Sequence, residues 1–296
     1  MIGLIVDVEF VWGFQARVVG LSKTSPSFYY PPPTTFLGAV AEVIAKENNI
    51  GEDVGKLIID ELSRNLLALG LRPLNCVPIK YEDLNRIIMI RVSGNEIKSP
   101  LPTKPYDSFD SPARGKTILS SLDKNPPRIR WLMVFKSDEM KVVNSILRSK
   151  IDEISLKEEH LWKIQRIGSK ESRVSVINVK KLKRSDLQYS EKGYVITNYS
   201  FPVSSLSNGD EIVRRWENEV YINPFEENIY SLNLRDNRNY DIFNKYYQNG
   251  TSYLKVFKIP IMISALNPPN YSVLLAGGWK AYSTRYEGRL EVVIGK

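Results

Sequence analysis

Hydrophobic and polar positions along the first part of the chain alternate, or recur at helical spacing, in separate blocks. Residues 2–11 are rich in β-branched and aromatic types and predict a strand. Apolar residues at helical spacing predict a first helix from Phe36 to Lys46 and a second from Val54 to Leu69, which Gly70 would end. The chain therefore begins as a strand followed by two helices.

The next segments continue this pattern up to about residue 181. A strand is predicted at Arg86–Val92, a long irregular stretch at 93–127 and another strand at Arg128–Lys136. A helix at Glu139–Ile151, a short helix at Leu156–Ile164 and a strand at Arg173–Val179 follow. The succession is βαββαβ, which predicts a ferredoxin-like or RRM-like domain over residues 1–181, with an insertion at about 93–127.

The remainder, residues 182–296, is predicted to be a β-rich C-terminal region. Its candidate strands are short and alternate in polarity, at Tyr194–Phe201, Glu219–Ile222, Tyr253–Ser264, Tyr271–Leu275 and Leu290–Ile294. The polar, tyrosine-rich stretch Asn228–Gly250 predicts a loop or a weak helix. The fold class expected for the whole chain is therefore α+β.

The composition of the chain limits the classes of function that it can have. The chain of 296 residues has a net charge of +8 and a pI near 9.3, which favours a polyanionic partner such as nucleic acid. One cysteine excludes an internal disulfide, and one histidine excludes most zinc sites and histidine-pair nucleases. We expect no metal and no cofactor. No apolar run is long enough for a membrane span, so we expect a cytoplasmic protein without membrane contact.

Three consecutive prolines and two threonines, Pro31 to Thr35, precede the first predicted helix. The prolines stiffen the chain, and a threonine would cap a helix whose first amides point outward. The loop before them mixes cations with aromatic rings, which suits phosphates and unstacked bases of single-stranded RNA. Its candidate RNA-binding residues are Arg17, Lys23, Tyr29 and Tyr30. The alternative is an ordinary helix start with core aromatics.

A second candidate is the polar turn from Arg166 to Arg173, before the last strand of the predicted unit. Arg166, Lys170 and Arg173 supply charge, and Gly168 and Ser169 would offer backbone contacts to a phosphate. The glycine spacing differs from that of a Walker loop. The alternative is a solvated basic turn.

The irregular stretch 93–127 is the third candidate. Lys104, Arg114 and Lys116 would let a protruding hairpin contact nucleic acid, or the hairpin could reach a neighbouring subunit. The alternative is a surface loop without function.

Taken together, these segments resemble one known family. Val11–Phe14, Tyr30–Ala39 and Arg166–Val176 resemble the N-terminal signature, the glycine loop and the last strand of CRISPR-associated protein 5, in its type I-A-like branch. The resemblance implies a RAMP-type ferredoxin-like domain whose insertion is a thumb. It also implies a subunit that holds the 5′ handle of CRISPR RNA and caps the backbone filament. Its partners would be a backbone subunit (CRISPR-associated protein 7 family), a large subunit (CRISPR-associated protein 8 family) and, indirectly, target DNA.

Catalysis is the main point that the resemblance leaves open. Some members of the family, in type I-C systems, cleave precursor RNA with tyrosine, lysine and histidine side chains. Here the sole histidine, His160, lies in a predicted helix near Lys163 and Lys170, where a surface histidine without catalytic function is expected. We predict a non-catalytic RNA-binding subunit. The alternatives are a metal-independent endoribonuclease and a mainly structural protein–protein subunit.

Overall fold

The computed structural model describes residues 1–16, 27–49, 51–81, 91–93, 96–98, 115–141, 153–209, 213–226, 253–262 and 269–296. The helices in these ranges are α1 (Pro33–Glu47), α2 (Glu52–Asn65) and α3 (Glu158–Trp162). The strands up to residue 182 are β1 (Ile2–Phe10), β2 (Gly13–Phe14), β3 (Leu66–Pro73), β4 (Cys76–Tyr81), β5 (Arg91–Ser93), β6 (Glu96–Lys98), β7 (Lys116–Ser121), β8 (Arg128–Phe135), β9 (Glu139–Lys141), β10 (Glu153–Ser155) and β11 (Val174–Leu182). The later strands are β12 (Gln188–Ser190), β13 (Tyr194–Thr197), β14 (Phe201–Pro202), β15 (Trp216–Ile222), β16 (Leu254–Pro260), β17 (Tyr271–Leu274), β18 (Lys280–Tyr286) and β19 (Arg289–Gly295).

A seven-stranded sheet in the order β11-β1-β8-β3-β19-β18-β12 forms the centre of the molecule, and its neighbouring strands are antiparallel. β1 and β3, which α1 and α2 connect, are separated in the sheet by β8. In the same way β8 and β11 are separated by β1. The expectation of a mixed α+β fold, rich in strands, is confirmed.

Two sequence-based predictions of helix were wrong. The second helix ends at Asn65, and the apolar run that follows forms β3, because such a run buries equally well on a strand covered on both faces. Gly70 is therefore no helix end. A Cβ at this residue would lie 2.8 Å from the Ser200 carbonyl oxygen, so glycine permits a close backbone approach. Residues 139–141, predicted as helix, form β9.

The first helix begins three residues earlier than predicted, at Pro33. Pro32 is the N-cap and Pro33 the first helical residue, a position that suits proline because its amide would be unbonded there anyway. The amides of Thr35 and Phe36 bond to the Pro32 carbonyl, and Thr34 is buried. The predicted threonine cap with outward-pointing amides is therefore wrong.

The C-terminal region is rich in strands, as predicted, and it completes the central sheet. β19 pairs with β3 where Gly295 faces Ala68, and β18 and β12 extend the sheet beyond it. The Ser200 amide bonds to the Leu71 carbonyl at 2.8 Å, farther along the same strand. The proposed division at residue 181 therefore falls within one continuous sheet. β12 and β18 were not predicted, and the whole of Asn228–Gly250 lies outside the described residues.

The two faces of the sheet are both covered. On one face, the core packs α1 and α2 against β1 and β8, and Phe36 stacks on Trp131 with ring centroids 4.4 Å apart. On the other face, Ile5 of β1 packs with Tyr199 and Val293 of the C-terminal region. Strand β1 is consequently buried on both sides. In the part of the chain that the structure describes, no helix has the length and apolar character needed to cross a bilayer.

Candidate nucleic-acid interface

The sheet face opposite the helices holds a cluster of buried ion pairs. Arg130 donates two hydrogen bonds to Asp7, at 2.6 and 2.8 Å, and one to Glu291 at 3.0 Å. Arg72 binds Glu291 at 2.7 Å, and all four side chains are almost completely buried. An RRM stacks RNA bases on the exposed face of its sheet. Because this face is closed here, it cannot bind bases in that way.

The turn after β1 and the glycine turn before β11 lie side by side, although about 160 residues separate them in sequence. The Trp12 indole Nε1 donates to the Glu171 carbonyl at 2.9 Å, and the Val11 amide donates to the Arg173 carbonyl at 3.2 Å. Two of the three segments that carry the family resemblance therefore form one surface. We call the turn at residues 166–173 the glycine loop.

Gln15 extends this contact to the start of the predicted RNA-binding loop. The Gln15 amide donates to the Ser172 hydroxyl, and the Gln15 carbonyl accepts from the Ser169 amide, both at 2.9 Å. Gly168 has a φ of +115°, and a Cβ there would be 2.7 Å from the Gln15 oxygen. Glycine is needed for this close approach. The Ser169 amide is already bonded, which corrects the prediction that it would be offered to a phosphate.

Arg17 and Lys23 belong to residues 17–26, which lie outside the described residues. The chain on either side of that segment is held firmly. Before the segment, Gln15 is hydrogen-bonded to the glycine loop. After the segment, the Thr117 hydroxyl donates to the Phe28 carbonyl. The described residues that flank the segment, Gln15 and Phe28, therefore lie at the glycine loop and beside β7.

Glu219 of β15 fixes the chain that leads to the prolines. Its carboxylate accepts hydrogen bonds from the Tyr29 amide at 2.8 Å, from Lys80 at 2.8 Å and from the Tyr221 hydroxyl at 2.7 Å. Burial raises the pKa of Glu219, although these donors oppose the shift. Sequence analysis missed this residue. Its only signal is a carboxylate among the aromatic residues of a strand, Trp216 and Tyr221.

The two candidate stacking residues lie in different surroundings. Tyr30 is completely buried, and its hydroxyl is 3.4 Å from the Cys76 carbonyl. A buried ring has no face to offer a base, so the stacking function predicted for Tyr30 is wrong. Tyr29 is only partly buried, but the Lys80 ammonium lies 3.5 Å from its ring centroid and covers one face.

Several predicted cations do gather around the glycine loop. The Lys170 side chain is 83% exposed, with its nearest carboxylate, on Glu171, 3.9 Å away. Arg173 and Lys116, the first residue of β7, are also exposed. A hydrogen bond from Ser169 is the main cause of the lowered pKa of Glu171, and the charges of Lys170 and Lys116 contribute to it. Lys116 immediately precedes Thr117, which pairs with Phe14 next to Gln15. Arg166 binds Glu42 at 2.8 Å. Lys104 and Arg114 lie outside the described residues.

His160 is engaged on both ring nitrogens. Nδ1 accepts the Lys157 amide at 3.2 Å, and Nε2 is 2.8 Å from the Glu47 carboxylate, which assigns the ring proton to Nε2. Burial lowers the pKa of His160, with the charge of Glu47 acting in the opposite direction. His160 is only 4% exposed and lies inside the fold, which corrects the prediction of a surface histidine.

Comparison with known proteins gives concordant similarities. No family model matches the chain. The crystal structure of a CRISPR protein from Archaeoglobus fulgidus is 45% identical over the whole of both chains, with a TM-score of 0.66. Two proteins of Saccharolobus solfataricus are also similar. CRISPR-associated protein Cas5 2 is 26% identical, over 71% of this chain and 72% of its own length. CRISPR system aCascade subunit Cas5 1 is 27% identical, over 76% and 80%.

Proposed function

The chain belongs to the CRISPR-associated protein 5 (Cas5) family, and from that premise we propose that it is the subunit of a type I-A-like effector complex that holds the 5′ handle of CRISPR RNA. A place in a CRISPR effector complex follows from the family. The RNA-binding function is supported by one observation above all. Exposed cations lie on and beside the glycine loop, and this loop is hydrogen-bonded to Gln15, two residues before the cation Arg17 of the predicted RNA-binding loop.

The proposal includes a RAMP-type ferredoxin-like domain. Its support is the strand order, in which each pair of helix-linked strands, β1 with β3 and β8 with β11, has one strand inserted between them. This interleaved arrangement is that of two split βαβ units. The C-terminal region would then serve as a lid over the sheet face.

The proposed partners are a backbone subunit of the CRISPR-associated protein 7 family, a large subunit of the CRISPR-associated protein 8 family and, indirectly, target DNA, in the cytoplasm. Strand β4 precedes the proposed thumb, and β7 lies in the C-terminal part of the thumb segment. Their outer face exposes Ile79, Tyr81 and Ile118, of which Ile79 and Ile118 are directly paired. Such an apolar surface beside an insertion supports contact with another protein.

We propose that the subunit is not catalytic. A general base has to reach the hydroxyl that it deprotonates. The buried imidazole of His160, bonded to Lys157 and Glu47, supports a structural function instead. Incubation of the purified protein with repeat RNA and a chelator tests this point. Specific cleavage that disappears in His160→Ala would establish the endonuclease alternative.

RNA binding is tested by titrating purified protein with handle RNA at increasing salt. Lys170→Ala and Arg173→Ala should each weaken binding and reduce the slope of log affinity against log salt by about 0.7 to 1. Lys180→Ala is the matched control, because Lys180 is exposed on β11 outside the glycine loop. Equal slopes for all four proteins would contradict the assignment.

A further inference from the structure

A buried carboxylate of the C-terminal region, that of Glu219 on β15, contacts the chain that enters helix α1. Both of its oxygens accept from the Tyr29 amide, at 2.8 and 3.0 Å. The Lys80 ammonium of β4 and the Tyr221 hydroxyl also donate to it, at 2.8 and 2.7 Å. Glu219 is only 7% exposed. One carboxylate therefore joins three separate parts of the chain.

Two of these donors lie against each other at the surface. The Lys80 ammonium is 3.5 Å from the centroid of the Tyr29 ring, and we call the two the ring–cation pair. Both side chains are partly exposed. Because Glu219 binds the backbone of Tyr29 and the ammonium of Lys80, it determines how the ring and the cation lie relative to each other. An aromatic ring backed by a cation suits an unstacked base.

A series of contacts connects the ring–cation pair with the glycine loop. The Phe28 ring packs edge-on against Tyr221, with ring centroids 5.1 Å apart, and the Phe28 carbonyl accepts from the Thr117 hydroxyl. Thr117 is paired with Phe14, and the next residue, Gln15, is hydrogen-bonded to the glycine loop. The two surfaces are therefore joined through strands β2 and β7.

A buried carboxylate at this position has an energetic cost. Burial raises the pKa of Glu219, because the ionised form is less favourable inside the protein than in water, although its donors oppose the shift. An apolar side chain would fill the same space without that cost. An apolar side chain, however, could not orient the Tyr29 amide or the Lys80 ammonium.

We infer that Glu219 is a positioning residue for RNA binding, which holds the ring–cation pair in the orientation that receives the RNA. Because Glu219 is buried and anionic, it does not contact the RNA itself. The RNA affinity of the N-terminal part of the chain thus depends on a residue of the C-terminal region. This inference rests on the proposed RNA-binding function and adds a function of strand β15 to it.

The direction of the effect distinguishes positioning from simple electrostatics. Glu219→Gln removes one negative charge, so electrostatic attraction alone would make RNA binding tighter. We expect instead that handle RNA binds about tenfold more weakly, because the amide of glutamine cannot accept from all three donors. The slope of log affinity against log salt should not decrease, since no phosphate contact is removed. Titration of the full chain with handle RNA at increasing salt measures both.

Glu291→Gln is the matched control. It makes the same chemical change, with the same change in net charge, at another buried carboxylate of the C-terminal region, which binds Arg72 and Arg130. Its affinity for handle RNA should stay within about twofold of that of the unaltered chain. Urea unfolding of both variants shows whether each is folded under the conditions of the titration.

Tyr221→Phe is a milder variant, which keeps the ring and removes only the hydroxyl that donates to Glu219. It should weaken handle RNA binding about threefold, and it provides the test where Glu219→Gln is not folded. Unchanged or tighter binding by Glu219→Gln, or by Tyr221→Phe in that case, overturns the inference, as does equal weakening by Glu291→Gln or a smaller salt slope in Glu219→Gln. The proposed function stands in each of these cases. Failure of the unmodified protein to bind handle RNA would instead refute the proposed function.

Discussion

The sheet face and the glycine loop carry the same kinds of charged residue in opposite surroundings. Arg130 on the sheet face is buried, with Asp7 and Glu291 bound to it. Lys170 and Arg173 on the glycine loop are exposed to solvent, and neither has a carboxylate of the described residues within about 3.5 Å. The comparison separates charges that hold the C-terminal region on the sheet from charges that remain available to an external polyanion.

This difference in burial is the reason why we expect RNA to bind at the glycine loop and not at the sheet face. A buried charge that loses its partner cannot be rehydrated, whereas an exposed cation keeps its water until a ligand replaces it. An interface that used Arg130 would have to break its bonds to Asp7 first. The exposed loop cations have no such cost, and their loop is hydrogen-bonded to Gln15.

The largest expected effect is on stability, at the centre of the buried cluster. Glu291→Ala leaves Arg72 and Arg130 without a shared carboxylate, and we expect the free energy of unfolding to fall by about 3–5 kcal/mol. Urea unfolding measures it. Glu287→Ala is the control, because Glu287 contacts Arg130 but its side chain is 60% exposed, and it should cost no more than about 1 kcal/mol. Equal losses would contradict the distinction.

The second effect concerns the junction between glycine loop and Gln15. Gly168→Ala introduces a Cβ 2.7 Å from the Gln15 oxygen at a φ of +115°, and we expect it to cost about 1–3 kcal/mol. It should also weaken RNA binding, because the glycine loop and Gln15 would be displaced from each other. Gly193→Ala is matched in backbone strain, with a φ of +94°, but has nothing within 4 Å of the new Cβ.

The two variants therefore separate strain from crowding. Gly193→Ala should be less destabilised in urea and should bind handle RNA as the unaltered chain does. If Gly168→Ala behaves in the same way as Gly193→Ala, the contact with Gln15 has no function in RNA binding.

The strands that frame the glycine loop could be predicted from sequence, but the partners of the charged residues could not. Alternating apolar residues indicated β1, β8 and β11. No local sequence pattern shows that Arg130 contacts Glu291, since 161 residues separate them. The apolar run Leu66–Leu69 suits a helix or a buried strand equally well, so its assignment to β3 could not be predicted either. Exposure of Lys170 followed from its polar turn, whereas burial of His160 depends on Glu47 from another helix.

A smaller effect on the free energy of unfolding, one that depends on pH, is expected from His160. Its folded pKa is lowered below 6.5, so the unfolded chain binds the proton more readily. The stability associated with the neutral ring is therefore present above pH 6.5 and is lost as pH falls through the folded pKa. We expect the unfolding free energy of the unaltered chain to drop more between pH 7.5 and 5 than that of His160→Gln. Equal drops in urea unfolding would contradict this account.

The smallest expected effect on stability concerns the exposed cations of the glycine loop. Lys170→Ala removes an exposed side chain with one distant carboxylate neighbour, so the free energy of unfolding should change by less than about 0.5 kcal/mol. Increasing salt from 50 to 200 mM should leave the unfolding energy of the unaltered chain nearly constant, because buried pairs are screened little. The same salt step should sharply weaken handle RNA binding, since that binding releases counterions. Stability that fell together with RNA affinity in Lys170→Ala would show that this lysine also supports the fold, and it would remove the distinction between the two groups of charges.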